Sequence, residues 1–297
     1  KPDLSKLDPR FLVYYIQSDD GFRSIAGQMT GAAIKRIVLK RIKCSLIPLP
    51  PLDEQKRIVA ALDQAFAALD RARANAEANL ADSETVFEQA LLATFDELLA
   101  HASMSTLADM STDFSRGKSK HRPRNDPKLY GGAYPFIQTG DVRRAQGAIR
   151  EYSQTYNDVG LAQSKLWPVG TVCITIAANI AETGVLEIDA CFPDSVIGMV
   201  PDPARATPYY VEYMLRYFSK ELKLKGKGSA QDNINLATFE DSMFPFPSLA
   251  EQEAIVDKLD DVSSNVSQLR SRYSRQMEEI DELRQSLLQA AFSGQLS

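Results

Sequence analysis

A basic stretch near the middle of the chain carries side chains suited to binding a polyanion. Its cations, which no acid interrupts, are Arg116, Lys118, Lys120, Arg122 and Arg124. Because Lys and Arg side chains neutralise backbone phosphates, we predict that these five residues hold nucleic acid. Composition alone leaves one alternative open, which is a solvated loop without a ligand.

A second polar stretch follows a short apolar run and contains side chains that can distinguish bases. Its members are Gln138, Thr139, Arg143 and Arg144. Gln pairs through two hydrogen bonds with adenine, and Arg pairs in the same way with guanine, so we predict contacts with base edges. The alternative is an ordinary β-turn built around Gly140.

A third stretch, between residues 220 and 233, mixes lysines with glycines. Glycine allows the backbone to approach a ligand closely, and lysine suits phosphates. We therefore predict phosphate contacts from Lys223, Lys225 and Lys227, and base contacts from Gln231 and Asn233.

The motifs of most catalytic and cofactor sites are missing from the sequence. Its two histidines, His101 and His121, lie far apart and have no neighbouring cysteine, so no zinc-ligand spacing is present. A GxGxxG fingerprint, a GxxxxGK[ST] loop and a GxSxG elbow are all absent. We predict that this chain binds no metal or cofactor, although a metal-dependent nuclease with scattered carboxylates would leave no such motif.

A proline-rich motif occurs twice and relates these stretches to an architecture. Residues 47–55 read IPLPPLDEQ and residues 244–252 read FPFPSLAEQ, at an offset of 197 residues. Upstream, where the offset is two residues larger, Asp8-Pro9 corresponds to Thr207-Pro208. Both pairs are typical of a capped helix with proline at its first position. The repeat predicts two similar modules, each followed by a long helix.

Apolar heptads follow both copies of the motif. After the second copy, an apolar residue recurs every seven positions, at Leu259, Val266, Tyr273, Ile280 and Leu287. After the first copy the pattern is richer in alanine and changes frame, as a stutter would produce. We predict that the two helices pack as an antiparallel coiled coil. The alternative is two amphipathic helices, each packed on its own domain.

The repeat divides the chain into four predicted segments. They are a module remnant at 1–46, a long helix at 47–104, a complete module at 105–247 and a second long helix at 248–297. Short β-branched runs and a helix starting at Pro208 make the complete module mixed α/β, so we predict an α+β fold. The two helical segments are acidic, with charges of −6 over 51–104 and −4 over 248–297. We therefore expect the modules, and not the helices, to contact DNA.

The doubled proline-Leu-x-Glu-Gln motif, each time before a long helix, resembles the specificity subunit of type I restriction–modification systems. The closing segment Leu287–Leu296 is similar to the end of that family, and Tyr134–Asp141 and Gly170–Thr175 resemble its target recognition domains. The resemblance covers nearly the whole chain.

This resemblance implies a non-catalytic DNA-recognition protein. Family members carry two target recognition domains, each of which reads one half of a bipartite site, and their paired helices set the spacing. Methyltransferase and restriction subunits join them, so S-adenosylmethionine, Mg²⁺ and ATP are expected only on those partners. Since residues 1–46 match only the last part of a recognition domain, we expect a truncated form with one complete domain.

Two other classes of function stay open at this point. One is a coiled-coil scaffold whose modules bind protein and have no DNA specificity. The other is a DNA-modifying enzyme with an unrecognised site. The three cysteines without a CxxC pair favour a reducing cytoplasm. No apolar run approaches the roughly 20 residues needed to span a membrane, so we expect no membrane contact.

Overall fold

The fold is that of a computed structural model, which describes residues 3–27, 37–177, 179–227, 234–240 and 242–295. Its helices are α1 (Pro9–Gln17), α2 (Asp19–Ala26), α3 (Leu39–Ile42), α4 (Leu52–Leu98), α5 (Thr139–Ala145), α6 (Asp158–Ala162), α7 (Pro208–Lys227), α8 (Leu236–Glu240) and α9 (Leu249–Phe292). Its strands are β1 (Met104–Ser105), β2 (Ser111–Arg116), β3 (Tyr130–Phe136), β4 (Gly147–Ile149), β5 (Gln154–Tyr156), β6 (Leu166–Trp167), β7 (Val172–Thr175), β8 (Thr183–Leu186), β9 (Ala190–Cys191), β10 (Val196–Pro201) and β11 (Phe244–Pro245). This mixture confirms the predicted α+β class. Over the described residues, no helix has both the length and the apolar character needed to cross a membrane.

The chain divides into two compact units. The first contains Lys1–Thr85 and Asn265–Ser297, and the second contains Val86–Ser264. The long helices α4 and α9 contribute residues to both units. The four segments derived from the sequence repeat describe a different property, namely duplication, and they stay a prediction.

The core of the first unit is made by one short helix and parts of the two long helices. Pro9 begins α1, and the side chain of Asp8 caps it by accepting a hydrogen bond from Arg10 N at 2.8 Å. Proline suits this position because the first N–H of a helix has no partner within the helix. The buried residues of this core are Phe11, Ile58, Val59, Leu62, Phe66, Leu288 and Ala291.

Within the first unit, α4 and α9 run antiparallel. Arg73 Nη1 donates to Asp281 Oδ1 at 2.6 Å, and Arg284 Nη1 donates to Asp70 Oδ1 at 2.8 Å. Residues that come later in α4 therefore meet residues that come earlier in α9. This direction agrees with the predicted antiparallel pairing, whereas heptad packing of a coiled coil stays a prediction.

The apolar residues of α9 differ in burial. Val266 and Ile280, from the predicted heptad series, are buried. Leu269 and Leu283, each three positions further along, expose 38% and 48% of their surface. These two leucines form an apolar patch on α9 that the described residues do not cover.

The second unit is built on two main sheets. One has the strand order β2-β10-β7-β8-β4, in which only the β4–β8 pair is parallel. The other has the order β5-β3-β9-β6, in which β3 and β9 are parallel. A short antiparallel pair, β1–β11, contains the first two residues of the second proline-rich motif.

The core of the second unit includes a close aromatic stack. Trp167 stacks on Phe192 with ring centroids 4.8 Å apart. Gly198 in β10 lies against both rings, and a Cβ atom there would come within 2.7 Å of each. Since real Cβ atoms do not approach so closely, glycine is required at this position for the two side chains to pack against the strand.

The glutamine of the repeated motif makes hydrogen bonds that explain the structural role of the motif. In the first unit Gln55 is fully buried. Its Oε1 accepts from Asp8 N at 2.8 Å, and its Nε2 donates to Lys6 O at 2.9 Å and to Pro50 O at 2.8 Å. One side chain thus joins the start of α1, the proline segment and the start of α4.

The second unit contains the same arrangement. Gln252 is also fully buried, and its Oε1 accepts from Thr207 N at 3.0 Å. Its Nε2 donates to Arg205 O at 2.8 Å and to Pro247 O at 3.0 Å. We call each of these three-bond arrangements a glutamine clamp. Each clamp satisfies the polar atoms of a fully buried glutamine side chain.

A tyrosine–aspartate pair accompanies each clamp. Tyr14 donates its hydroxyl to Asp63 in the first unit, and Tyr213 donates to Asp260 in the second. The repeat seen in the sequence is therefore also a repeat of hydrogen bonds, including the two-residue change of offset between the modules and the long helices.

Candidate nucleic-acid interface

The basic stretch leaves β2 through a tightly packed glycine. Gly117 N donates to Val196 O at 2.8 Å, and Lys118 N donates to Phe192 O at 3.1 Å. A Cβ atom on Gly117 would lie 2.4 Å from the carbonyl oxygens of Phe192 and Pro193. The stretch is thus attached to the segment between β9 and β10, although it is far from that segment in sequence.

Three of the five predicted phosphate contacts converge on one aspartate. Arg124 Nη2 donates to both carboxylate oxygens of Asp194, at 2.6 and 2.8 Å. Arg116 Nε donates to the main-chain oxygen of Asp194 at 2.8 Å, and Arg122 Nη2 lies 3.9 Å from its carboxylate. The charge of this stretch is therefore partly neutralised within the protein. Lys118 and Lys120 are exposed and make no ion pair with another described residue.

The second polar stretch forms a helix and not the alternative β-turn. Gln138 precedes α5, and its N–H donates to Asp141 Oδ2 at 2.8 Å. Asp141 is buried, and it also accepts from Ser153 Oγ at 3.2 Å and from Arg144. The side chain of Gln138 donates through Nε2 to Gln154 Oε1 at 2.7 Å. An aspartate at the helix start accounts for the helix, because it satisfies an N–H that has no partner in the first turn.

The two stretches meet at a surface cavity of about 500 Å³. It brings together Arg124 from the basic stretch with Gln138 and Thr139 from the start of α5. Its other lining residues, which the sequence analysis did not select, include Ser119, Asn125, Tyr130, Gln154 and Ser195. Aromatic, amide and hydroxyl groups at one concave surface are typical of a site that recognises a polar planar ligand.

Arg143 and Lys223 lie at a different cavity of about 260 Å³. Lys223 Nζ donates to Glu182 Oε1 at 3.0 Å, and Arg143 Nη1 donates to Asn179 Oδ1 at 3.4 Å. The structure thus separates these two cations from Arg124 and Gln138. The same cavity is lined by Glu212, whose burial raises the pKa of its carboxyl to about 7.

The first part of the glycine–lysine stretch is helical. Lys223, Lys225 and Lys227 lie in the last turns of α7. Lysines suit this position because cations are stabilised by the helix dipole at a C-terminus. Lys225 lies 2.9 Å from Glu221 and donates to Ser242 Oγ at 3.3 Å. The side chain of Lys227, together with Gln231 and Asn233, falls outside the described residues.

Asp194, Asn125 and Gln154 lie at the site but were not predicted from the sequence. Asp194 is separated from Arg124 by 70 positions and from Arg116 by 78 positions. Only the antiparallel pairing of β2 with β10 brings these residues together. The Pro193-Asp194-Ser195 segment indicates a turn in the sequence, but nothing local indicates which cations that turn would meet.

Metal-ligating side chains do not cluster in the part of the chain that the structure describes. No group of three or more His, Cys, Asp or Glu side chains there has the geometry to hold a metal ion. His121 instead lies 2.9 Å from Asp126, whose pKa is lowered mainly by a hydrogen bond from Lys128 N and also by His121.

Two solved structures resemble this fold. The HsdS subunit from Thermoanaerobacter tengcongensis matches with a TM-score of 0.70 and 23% identity, over 99% of this chain and 72% of that one. A chain from a structure on complex assembly and conformational transition of the type I R-M system matches with a TM-score of 0.80 and 22% identity, over 98% of this chain and 73% of that one. At sequence identities of 23% and 22%, the structural similarity shows that this chain has the same fold, and it shows no more than that.

Two relatives that are similar in sequence are named as specificity subunits of type I restriction enzymes. The putative type I restriction enzyme MjaX specificity subunit of Methanocaldococcus jannaschii is 21% identical, over 100% of this chain and 70% of its own length. The type I restriction enzyme EcoBI specificity subunit of Escherichia coli is 22% identical, over 92% of this chain and 63% of its own length. The chain thus spans about two thirds of the length of these relatives.

A family model matches most of the chain. The model for the type I restriction modification DNA specificity domain covers residues 1–79 and 104–278. This match confirms the resemblance found in the sequence, and with it the assignment to the non-catalytic specificity component. The clamps, the two sheets and the matched residues together show that the chain belongs to the family of type I restriction–modification DNA specificity proteins.

Proposed function

We propose that the Val86–Ser264 unit reads one half of a bipartite DNA target within a type I restriction–modification complex. The observation that carries this proposal is the cavity where Arg124, Gln138 and Thr139 meet. Two exposed lysines, Lys118 and Lys120, belong to the same basic stretch. Directional donors and acceptors suit base edges, and exposed cations suit phosphates.

The proposal divides the predicted contacts into two roles. Lys118 and Lys120 contact phosphates, because both residues are exposed and neither forms an ion pair with a described acid. Gln138 and Thr139 contact base edges, and Gln154 joins them because its amide is bonded to that of Gln138. Fixed amides favour recognition, since they lose little conformational freedom on binding.

The remaining predicted cations have weaker support. Arg144 is paired with the buried Asp141, and Lys225 is paired with Glu221. Arg143 and Lys223 line the other cavity. We propose that these four residues contribute long-range attraction for DNA and no base contact. Gln231 and Asn233 stay a prediction.

Partner subunits complete the proposed activity. We propose that methyltransferase and restriction subunits join the chain in the cytoplasm and bring S-adenosylmethionine, Mg²⁺ and ATP. The exposed leucines of α9, Leu269 and Leu283, supply an apolar face on which such a subunit could dock. This chain would then recognise DNA without taking part in the chemistry.

Selection from a random duplex library tests the proposed function. The 297-residue chain should enrich a short motif, and its affinity should fall steeply with salt. Replacing both Lys118 and Lys120 by alanine should reduce the slope of log K against log salt by about 1.8, which is about 0.9 for each lost phosphate contact. Lys258→Ala, on the acidic helix α9, is the matched control and should leave the slope unchanged.

The same experiment separates the other classes of function. A scaffold without DNA specificity would enrich no motif, which would overturn the proposal. Incubation of the chain with its selected duplex, Mg²⁺ and S-adenosylmethionine should leave the DNA unmodified. Cleavage or methylation by the chain alone would show an active site in this polypeptide and contradict its non-catalytic role.

A further inference from the structure

Arg124 is held more firmly than a phosphate-binding side chain requires. Its Nη2 group donates to both oxygens of Asp194, at 2.6 and 2.8 Å. Its main-chain oxygen accepts from the hydroxyl of Tyr130 at 2.6 Å, so the backbone is anchored as well. The guanidinium is therefore fixed at the wall of the 500 Å³ cavity, beside Asn125 and Gln138.

The charge around Arg124 disfavours a phosphate partner. A phosphate placed on this guanidinium would also meet the carboxylate of Asp194, and like charges at hydrogen-bonding distance repel each other. Arg116 and Arg122 also lie against Asp194 but bind it more weakly, through its main-chain oxygen and at 3.9 Å respectively. Lys118 and Lys120, which have no such neighbour among the described residues, suit phosphates better.

The donors that remain on Arg124 suit a base. No hydrogen bond to another described residue uses the Nε or Nη1 groups of its planar fork, so each can still donate a hydrogen bond. Arginine is the residue that most often contacts the O6 and N7 acceptors of guanine in the major groove. An ammonium group directs its donors less well, because its charge is compact and its donors rotate freely.

We propose that Arg124 reads a guanine in the target half-site and that Asp194 is the positioning residue that fixes its guanidinium. This inference rests on the proposed function and reassigns Arg124 from the phosphate contacts expected from the sequence to the base contacts. The recognised ligand is thus a G·C pair presented at the cavity formed by the basic stretch and the start of α5.

The test repeats the duplex selection with Arg124→Lys, Asp194→Asn and Asp194→Glu. Arg124→Lys keeps the charge and loses the fork. It should remove the preference for guanine at one position, weakening binding to the wild-type motif by about 5- to 150-fold while the salt slope stays the same. Asp194→Asn should weaken the preference at that same position, and Asp194→Glu should retain most of it. Lys120→Ala is the control that should lower the salt slope and leave the motif unchanged.

Other results would overturn the inference. If Arg124 contacts phosphate, Arg124→Lys will leave both the enriched motif and the salt slope unchanged, because lysine keeps the charge that a phosphate requires. If Asp194 only masks the cations, Asp194→Asn will tighten binding to every duplex and steepen the slope. In both cases, enrichment of a motif by the wild-type chain would still support the proposed function. Failure of the wild-type chain to enrich any motif would instead refute the function itself. Circular dichroism of each variant shows whether it has kept the wild-type fold.

Discussion

The two glutamine clamps lie in surroundings that differ far more than the clamps themselves. Gln55 and Gln252 make the same three hydrogen bonds to corresponding main-chain groups, with lengths between 2.8 and 3.0 Å. Beside Gln252 lies a helix of 20 residues, α7, while the corresponding helix beside Gln55, α1, has 9. The clamp therefore forms with helices of different length and does not depend on where those helices end.

One pair of corresponding positions shows the difference most clearly. Glu212 in α7 is buried, and its carboxylate accepts from Thr183 Oγ1 at 3.1 Å. The position that corresponds to it in α1 is Val13, which is 50% exposed. The same helical face is polar and covered by a sheet in the second unit, but apolar and uncovered by described residues in the first. The repeat thus preserves the joint between module and long helix, and the recognition surface that we propose lies in the second unit.

Removing a clamp should have the largest effect on stability. We expect Gln55→Ala and Gln252→Ala each to lower the free energy of unfolding by about 2–4 kcal/mol, because three main-chain groups lose a buried partner. The single tryptophan, Trp167, lies in the second unit and is fully buried. Its fluorescence during urea unfolding should report the loss caused by Gln252→Ala, and far-ultraviolet circular dichroism should report both losses.

The neighbours of the clamp glutamines provide the controls. Lys56→Ala and Glu253→Ala change exposed side chains one position away and should alter stability by less than about 0.5 kcal/mol. A loss below that value for either glutamine variant would contradict the clamp as a shared stabilising element.

Glu212 should make the stability of the second unit depend on pH. Burial raises the pKa of its carboxyl to about 7 from an ordinary value of 4.5, although Arg216 and Thr183 act in the opposite direction. Between those values the folded protein keeps a proton that the unfolded chain releases, so stability falls as pH rises. We expect a loss of up to about 3 kcal/mol between pH 5 and pH 8 in the wild type.

Glu212→Gln should remove this part of the pH dependence, as followed by the urea unfolding of Trp167. Val13→Gln, at the corresponding position of α1, is the matched variant and should leave the pH profile as it is. Equal pH profiles for the wild type and Glu212→Gln would show that the carboxyl stays ionised in the folded protein.

The ion pairs between α4 and α9 should have the smallest effect. The side chains of Arg73 and Asp281 are 40% and 61% exposed. Exposed pairs of this kind contribute less than about 1 kcal/mol and are screened by salt. Arg73→Ala should therefore lower the free energy of unfolding by less than about 1 kcal/mol, and the difference should shrink in 1 M NaCl. A larger effect that persists in salt would mean that these pairs, and not the apolar core, determine the pairing of the helices.

Local patterns in the sequence predicted the elements that depend on neighbouring residues. The cap before Pro9, the helix start at Pro208, the long helices and the family resemblance all arise from short motifs and their periodicity. The cap expected from Thr207 is not formed, because its buried Oγ1 has no hydrogen-bond partner among the described residues. The clamp itself was not predicted, because a glutamine in a helix start does not indicate which carbonyl groups it will meet. Only the folded chain brings Thr207 and Arg205 to Gln252.

The candidate site was predicted only in part, for the same reason. Residue types identified Gln138 and Arg124, which the structure brings to one cavity. They gave no sign that Asp194 neutralises Arg124, since strand pairing across 70 positions decides that contact. The lysines and glycines after Lys220 gave no sign of where α7 ends, whereas helix propensity and the apolar face of α7 extend the helix to Lys227.

Photo-crosslinking of the chain to its selected duplex, combined with mass spectrometry of the peptides, tests the central claim most directly. The claim is that the recognition surface belongs to the second unit and is formed by the basic stretch, the start of α5 and β5. We expect crosslinks at residues 118–125 and 138–154. Crosslinks confined to the first unit, Lys1–Thr85 and Asn265–Ser297, would contradict it.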